Sequence, residues 1–327
     1  MDPLGARCCL DAPAYRYTRI LFPLASRAVA LGTTSLVPVA MVAINLGAIG
    51  GTVLMLATWM RRRGHSAWWA LVYGFYPGLS QAFQVDVTEV SAYALVAAAV
   101  FVLELGGRRR LLWAGLLFGL AGLTRETTLL FAAVYALAAA VRTPGGGRRA
   151  LGEAVGLAVL AALPLLLYKA FLTATLGSLG VGFGSGSEIA GAPLAGLLSF
   201  RPFEPREWVE VAFEVVPTTL VAVVALYRML QQPRVELAAY LLNYTLLVLL
   251  LQRSSYFSYF DSGRIQTGVV LAAVLALPAL LGAPRRGDAR VRAQSLPTAT
   301  VLLAWLLWLA VVLPGIAAPH TFHVLKL

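Results

Sequence analysis

Charge is scarce in this sequence. Only 13% of its 327 residues are Asp, Glu, Lys or Arg, against 59% hydrophobic, where a water-soluble domain carries about 25% charged residues. A surface wetted over its whole extent is thereby excluded. Cysteine is almost missing. Cys8 and Cys9 are adjacent, and adjacent residues rarely bridge, so a disulfide framework is excluded. No apolar signal region precedes them, which argues against a lipoprotein-type cysteine. Histidine occurs three times. His320 and His323 form an H-x-x-H pair with no third ligand, so no metal is assigned to them. The glycine-rich stretch from Gly177 to Gly186 contains no lysine and lacks the Gly-Lys-Ser/Thr ending of a phosphate-cradling loop. It reads instead as a loop over one face of the protein. No Ser–His–Asp pattern is visible either.

What is present is apolar sequence in long runs, with a mean hydropathy of +0.78. One membrane crossing needs roughly 20 such residues. The runs predict an all-α polytopic transmembrane helical bundle of about ten spans, at residues 36–60, 66–84, 89–105, 111–124, 126–141, 151–172, 209–229, 235–252, 265–282 and 297–314. Residues 1–35 read as an extracytoplasmic juxtamembrane segment. Residues 36–327 read as the transmembrane domain, with an outer loop at about 173–208.

The formal net charge is +11, which on a soluble chain would point to nucleic acid. Here the basic residues gather in short loops between apolar runs: Arg61 to Arg63, Arg108 to Arg110, Arg142 with Arg148 and Arg149, Arg228 with Arg234, and Arg285 to Arg292. That placement fits orientation signals and anionic lipid headgroups, so membrane lipids and not nucleic acid are the expected partners. Alternate loops carry these clusters, which assigns them to the cytoplasm. The opposite face then receives Asp11, Asp86, Glu89, Glu126, Glu188, Glu204, Glu207 and Asp261. It also receives the N-terminal segment with its four arginines. This predicts a further helix upstream of Met1, eleven spans in all.

Four constellations on that face can carry chemistry. The segment from Asp11 to Leu24 mixes Tyr15, Arg16 and Arg19 with apolar residues, and Arg16, Arg19 and Arg27 share a face if it is helical. It reads as an interfacial helix, either a guanidinium platform for a lipid phosphate or plain anchoring by Arg and Tyr. In the turn Gln84-Val85-Asp86-Val87-Thr88-Glu89, two carboxylates lie three residues apart, suited to a base, a sugar-hydroxyl acceptor or a divalent-cation ligand. The same spacing also describes a helix cap. Leu123-Thr124-Arg125-Glu126-Thr127 joins two short spans, which sets Arg125 and Glu126 below the surface, as a phosphate ligand with its orienting partner or as an internal ion pair. The stretch Arg253 to Arg264, with Tyr259, Asp261 and Arg264, suits sugar stacking and phosphate neutralisation, or an aromatic belt. Glu207, Glu210 and Glu214 read as the mostly structural start of a helix.

Three of these segments carry a resemblance. Ala14-Tyr15-Arg16-Tyr17-Thr18-Arg19-Ile20-Leu21-Phe22-Pro23-Leu24 resembles the periplasmic juxtamembrane motif of bacterial GT-C-type membrane glycosyltransferases linked to cell-surface glycopolymers. Asp86-Val87-Thr88-Glu89 is similar to their second outer turn, and Ala121-Gly122-Leu123-Thr124-Arg125-Glu126-Thr127 to their Gly-Leu-x-Arg-x segment. The resemblance implies a GT-C-like fold in a bacterial plasma membrane. It implies a polyprenyl-phosphate-linked sugar as donor, a glycan or lipid as acceptor, and hexosyl or pentosyl transfer outside the cytoplasm with inversion. It also implies a basic carboxylate in the first outer loop. Asp2 and Asp11 are what this chain offers there, so Asp11 joins Asp86 and Glu89 as catalytic candidates. Tyr15, Arg16, Arg19, Arg125, Glu126, Tyr259, Asp261 and Arg264 are the expected substrate and phosphate contacts. No cofactor is specified beyond the divalent cation that the carboxylate pair could hold. The rival readings are a transporter or flippase of lipid-linked sugars, with Asn45, Pro164, Pro217 and Asn243 marking broken helices, and a non-catalytic membrane subunit.

Overall fold

The computed structural model describes residues 16–84, 88–107, 109–142, 147–177, 192–199, 208, 211–251, 256 and 259–282. The expected span at 297–314 lies outside them, as do Asp11, Tyr15 and Asp86. Among the described residues every regular element is helical, and the chain is an all-α membrane bundle. Three helices are long and apolar enough to cross a bilayer: Thr34–Arg62, Gly147–Leu176 and Val211–Gln231. The others are shorter. A 15-residue helix such as Arg110–Thr124 rises about 22 Å, against a hydrocarbon layer of about 30 Å.

The chain divides into two compact units, residues 1–48 with 86–188, and 49–85 with 189–327. The first unit begins with α1, Leu21–Val29. The expected interfacial helix does not run unbroken from Arg16 to Arg27, because the first helical stretch stops after Tyr17 and α1 starts only at Leu21, with Ile20 as its N-cap. Pro23 is the reason. It has no N–H to give the Arg19 carbonyl, and its ring would clash there, so it is tolerated only in a first turn. Then comes α2, Val37–Arg62, whose N-terminal half belongs to this unit.

The body of the first unit is α5 (Glu89–Leu105), α6 (Arg110–Thr124), α7 (Leu129–Arg142) and α8 (Gly147–Leu176). Helix α6 packs on both α5 and α8, and α7 on α8. The α6–α8 approach is close because α6 presents glycine four residues apart. A Cβ at Gly115 would stand 2.6 Å from the Leu160 side chain, and one at Gly119 2.7 Å from the Leu160 carbonyl. The Ser91 hydroxyl of α5 donates to Asn45 Oδ1 of α2 at 2.9 Å.

The second unit holds the C-terminal half of α2 and a correction to the expected span at 66–84. That stretch is a 3-10 turn, Ala67–Ala70, then α3, Leu71–Gly74, and α4, Pro77–Gln84. Pro77 opens α4 at its first position, where no N–H is needed, and disfavours helix at Tyr76 before it. After the four-residue α9 (Ala195–Leu198), a π-turn at Val211–Val215 leads into α10 (Val216–Gln231). Helix α11 (Val235–Tyr244) runs into a second π-turn, Thr245–Leu249, and α12 (Tyr259–Ile265) and α13 (Thr267–Leu281) follow. Helix α11 packs on α10 and α13, and α12 on α4. One end is tied by Arg63, which reaches Glu236 at 2.9 Å and lies 3.8 Å over the Trp59 ring. Trp59 Nε1 donates to the Leu275 carbonyl. The neighbouring His65 has its pKa lowered from 6.5, first by burial and then by the charge of Arg63.

Candidate functional site

Glu89 opens α5. Thr88 is the N-cap, so Glu89 stands at the first helical position and not at the third, where a capping-box carboxylate would bend back to the cap. It is fully buried, as is Arg125. The Arg125 guanidinium donates to Glu89 Oε1 at 2.6 Å. A carboxylate at a helix N-terminus already has the favourable end of the helix dipole, and the guanidinium adds a full charge.

Arg125 reaches it because the chain breaks there. Helix α6 ends at Thr124, and Arg125 is extended, with φ −156° and ψ 120°. A single 3-10 turn, Glu126–Thr128, then opens α7. The break is closed locally. Arg125 N–H donates to the Ala121 carbonyl at 2.7 Å, and the Thr128 hydroxyl donates to the Arg125 carbonyl at 2.7 Å. Arg125 Nε donates to Thr127 Oγ1 at 3.2 Å, and that hydroxyl is 3.3 Å from the Tyr93 hydroxyl. Tyr93 is four residues beyond Glu89 and therefore on the same face of α5. Glu126 turns toward the N-terminal segment and lies 3.7 Å from Arg19 Nε. Both side chains of that pair remain partly exposed.

Three segments far apart in sequence thus meet: Arg19, the start of α5, and the α6–α7 turn. Arg16 is exposed. Asp11, Tyr15 and Asp86 lie outside the described residues. Tyr259 and Asp261 fall in α12, and Arg264, half-buried, in its last turn; these belong to the second unit. Among the described residues no three His, Cys, Asp or Glu side chains come close enough together to hold a metal ion.

Sequence reasoning did not single out Tyr93 and Thr127. The i, i+4 spacing from Glu89 was a usable signal for Tyr93, while Thr127 is recognisable only once Arg125 is seen to be extended. Glu214, read from the sequence as part of the mostly structural start of a helix, falls in the π-turn Val211–Val215. It is 3% exposed and accepts from Gln266 Nε2 at 3.0 Å.

No curated protein and no solved structure matches this chain. A family model does: that of glycosyltransferase family 87, over residues 20–252. The matched stretch contains Glu89, Arg125, Glu126 and Glu214 and more than half of the chain. A helical membrane bundle carrying a buried cluster of arginine and carboxylate is a coherent setting for such an enzyme, and the chain belongs to glycosyltransferase family 87, a GT-C-like family of membrane glycosyltransferases.

Proposed function

We propose that this glycosyltransferase takes a sugar from a polyprenyl-phosphate donor and passes it to a glycan or lipid acceptor at the extracytoplasmic face of a bacterial plasma membrane, in the assembly of a cell-envelope glycopolymer. The observation that carries the reading is the meeting of Arg19 with Glu126 beside the buried Glu89–Arg125 pair. A polyprenyl donor is dissolved in the bilayer and presents its phosphate at headgroup level. Transfer breaks the bond from the anomeric carbon to the phosphate oxygen, so the leaving group is a phosphate monoester whose charge grows in the transition state. Guanidinium groups suit that charge by geometry and by permanent ionisation. In this reading Arg16 and Arg19 meet the phosphate, and Tyr15 is proposed as a further substrate contact. Glu126 orients Arg19. Glu89 and Arg125, sealed against each other, hold the turn that aims Glu126.

The acceptor hydroxyl must lose its proton as it attacks. Asp86, three residues before Glu89, and Asp11 are the proposed bases. Glu89 itself is engaged by Arg125, which favours a framing role for it. Helix α12, with Tyr259, Asp261 and Arg264, is proposed to recognise sugar hydroxyls and phosphate charge. The transferred residue is proposed to be a hexose or pentose, and a divalent cation at the carboxylate turn is an optional addition to the same scheme.

The test is transfer of radiolabelled sugar from polyprenyl-phosphate donors in membranes containing the full-length protein. Asp86→Asn and Arg19→Ala are each expected to lower transfer by roughly 10²-fold, the scale of general-base and charge-stabilising groups. Undiminished transfer in both variants rejects the site. Labelling of single cysteines placed at positions 86 and 126 tests the topology. Labelling from opposite sides of the membrane, or only from the cytoplasm, rejects the extracytoplasmic assignment.

A further inference from the structure

Glu214 is a buried carboxylate that the scheme above does not use. It lies in the π-turn Val211–Val215, an element whose hydrogen bonds span one residue more than those of an α-helix and which is frequent at functional positions. Its carboxylate meets one face of the turn around α12: Gln266 Nε2 donates to Oε2 at 3.0 Å, with the Ser262 side chain beside it. Oε1 occupies the space beside Gly263, only 2.8 Å from where a Cβ would stand. From another side the Tyr76 hydroxyl donates to the Gly263 carbonyl at 2.7 Å. Gly78 packs so near this carbonyl that a Cβ there would collide with it.

The geometry of a helical turn gives this clamp a consequence. Ser262 and Gln266 are four residues apart and joined by a backbone hydrogen bond, Gln266 N–H to the Ser262 carbonyl at 3.0 Å, so they share one face. Arg264 is two residues from each, about 160–200° around the axis at 3.6 residues per turn. It therefore stands on the opposite face from the one that Glu214 holds. An apolar side chain at 214 would pack the same helix pair without burying a carboxylate, which is costly inside a membrane protein. What apolar packing lacks is direction: the hydrogen bond from Gln266 to the carboxylate fixes the rotation of the turn, and with it the azimuth of Arg264.

We infer that Glu214 is a positioning residue for Arg264, setting the direction in which that guanidinium meets an anionic phosphate of a polyprenyl lipid. The inference rests on the donor chemistry proposed above. Its test needs no knowledge of the sugar. Full-length protein in nanodiscs is titrated with undecaprenyl phosphate and, as the uncharged control, with undecaprenol, following the dissociation constants and the melting temperature of each variant. Arg264→Ala is expected to weaken the phosphate lipid about tenfold, the size of one charge-assisted hydrogen bond, and to leave undecaprenol unchanged. Glu214→Ala is expected to weaken the phosphate lipid several-fold, again with undecaprenol unchanged. The double variant is expected to bind no more weakly than Arg264→Ala alone, because one residue acts through the other.

Gln266→Leu removes the link while leaving Glu214 in place, and stands in for Glu214→Ala if that variant does not fold; the same non-additivity with Arg264→Ala is expected. Glu214→Gln keeps an acceptor oxygen for Gln266 and is expected to bind as the wild type does. Two outcomes overturn the inference while leaving the donor chemistry intact. One is multiplication of the two effects in the double variant. The other is equal weakening of both lipids by Glu214→Ala. If Arg264→Ala leaves undecaprenyl phosphate binding unchanged, the role of Arg264 and the inference fall together.

Discussion

Removing the Arg125 guanidinium is the sharpest perturbation the first unit offers. Arg125 is 1% exposed and Glu89 0%, and the nitrogen and oxygen are 2.6 Å apart. With charge centres about 4 Å apart and an effective dielectric of about 20, the attraction is about 4 kcal/mol, offset by several kcal/mol for taking each ion out of water. The pair as a whole is therefore near balance, but half of it is not. Arg125→Met leaves the Glu89 carboxylate enclosed without its counter-charge, at a cost of about 3–5 kcal/mol. In melting temperature that is a fall of roughly 5 °C for a chain of this size. Exchanging both members, Glu89→Gln with Arg125→Met, removes the stranded charge and is expected to recover most of the loss. The assay is thermal unfolding of the detergent-solubilised protein followed by size-exclusion chromatography, run as a double-mutant cycle. A coupling of about 3 kcal/mol is expected. If Arg125→Met melts within about 1 °C of the wild type, less than 1 kcal/mol on the same scale, or if the double variant is simply the sum of the singles, the two groups are not a mutually dependent pair and the account of the turn is wrong.

The helix contacts make further expectations. Gly119→Ala brings a methyl to 2.7 Å from the Leu160 carbonyl and 3.0 Å from the Pro164 ring; neither is a flexible side-chain end, and a loss of about 1–3 kcal/mol is expected in the same melting assay. Gly50→Ala, with nothing within 4 Å of the new methyl, serves as the control and should be neutral or slightly stabilising, since alanine is the better helix former. Arg63→Lys keeps the charge opposite Glu236 but loses the planar group stacked on Trp59. A loss of about 1 kcal/mol, readable also as a change in Trp fluorescence, is expected. His65 has a folded-state pKa below its ordinary 6.5, so the unfolded chain takes up its proton first. Stability from this group is present above about pH 6.5 and declines as pH falls below it. The decline should be small, because the ring is partly exposed, and should vanish in His65→Gln in a pH series of melting temperatures.

The legible part of this molecule is what hydropathy and charge placement can carry. The all-helical membrane bundle follows from runs of Leu, Ala and Val with few charges. The turn at Arg125 was found because two apolar runs too short to cross a bilayer flank a charged pair. What was missed depends on backbone detail. Pro77 breaks the stretch 66–84 into short pieces, although apolar residues continue past it and hydropathy does not register a missing N–H. Pro23 likewise sets where α1 can begin. The two π-turns, Val211–Val215 and Thr245–Leu249, have no composition of their own, and the burial of Glu214 follows from one of them. The pairing of Glu89 with Arg125 links residues 36 positions apart, a distance at which no local pattern carries information.

That pairing also bears on why charge is kept in the interior at all. A buried ion pair is a poor source of stability, since apolar residues of similar volume often do as well or better. Here each charge solves a geometric problem that Leu cannot. Arg125 leaves the helical path, so the helical ladder ends with its own N–H on the Ala121 carbonyl, and the guanidinium ties the break to a second helix through Glu89 and to its own turn through Thr127. The next residue, Glu126, is thereby presented to Arg19. A Leu–Leu contact at 89 and 125 would fill the volume but leave the rotation of the Glu126 turn undetermined. The Glu89→Gln, Arg125→Met protein should therefore separate the two properties: close to wild type in melting temperature, yet depressed in sugar transfer. Full activity in that variant would mean that the pair fills space and directs nothing.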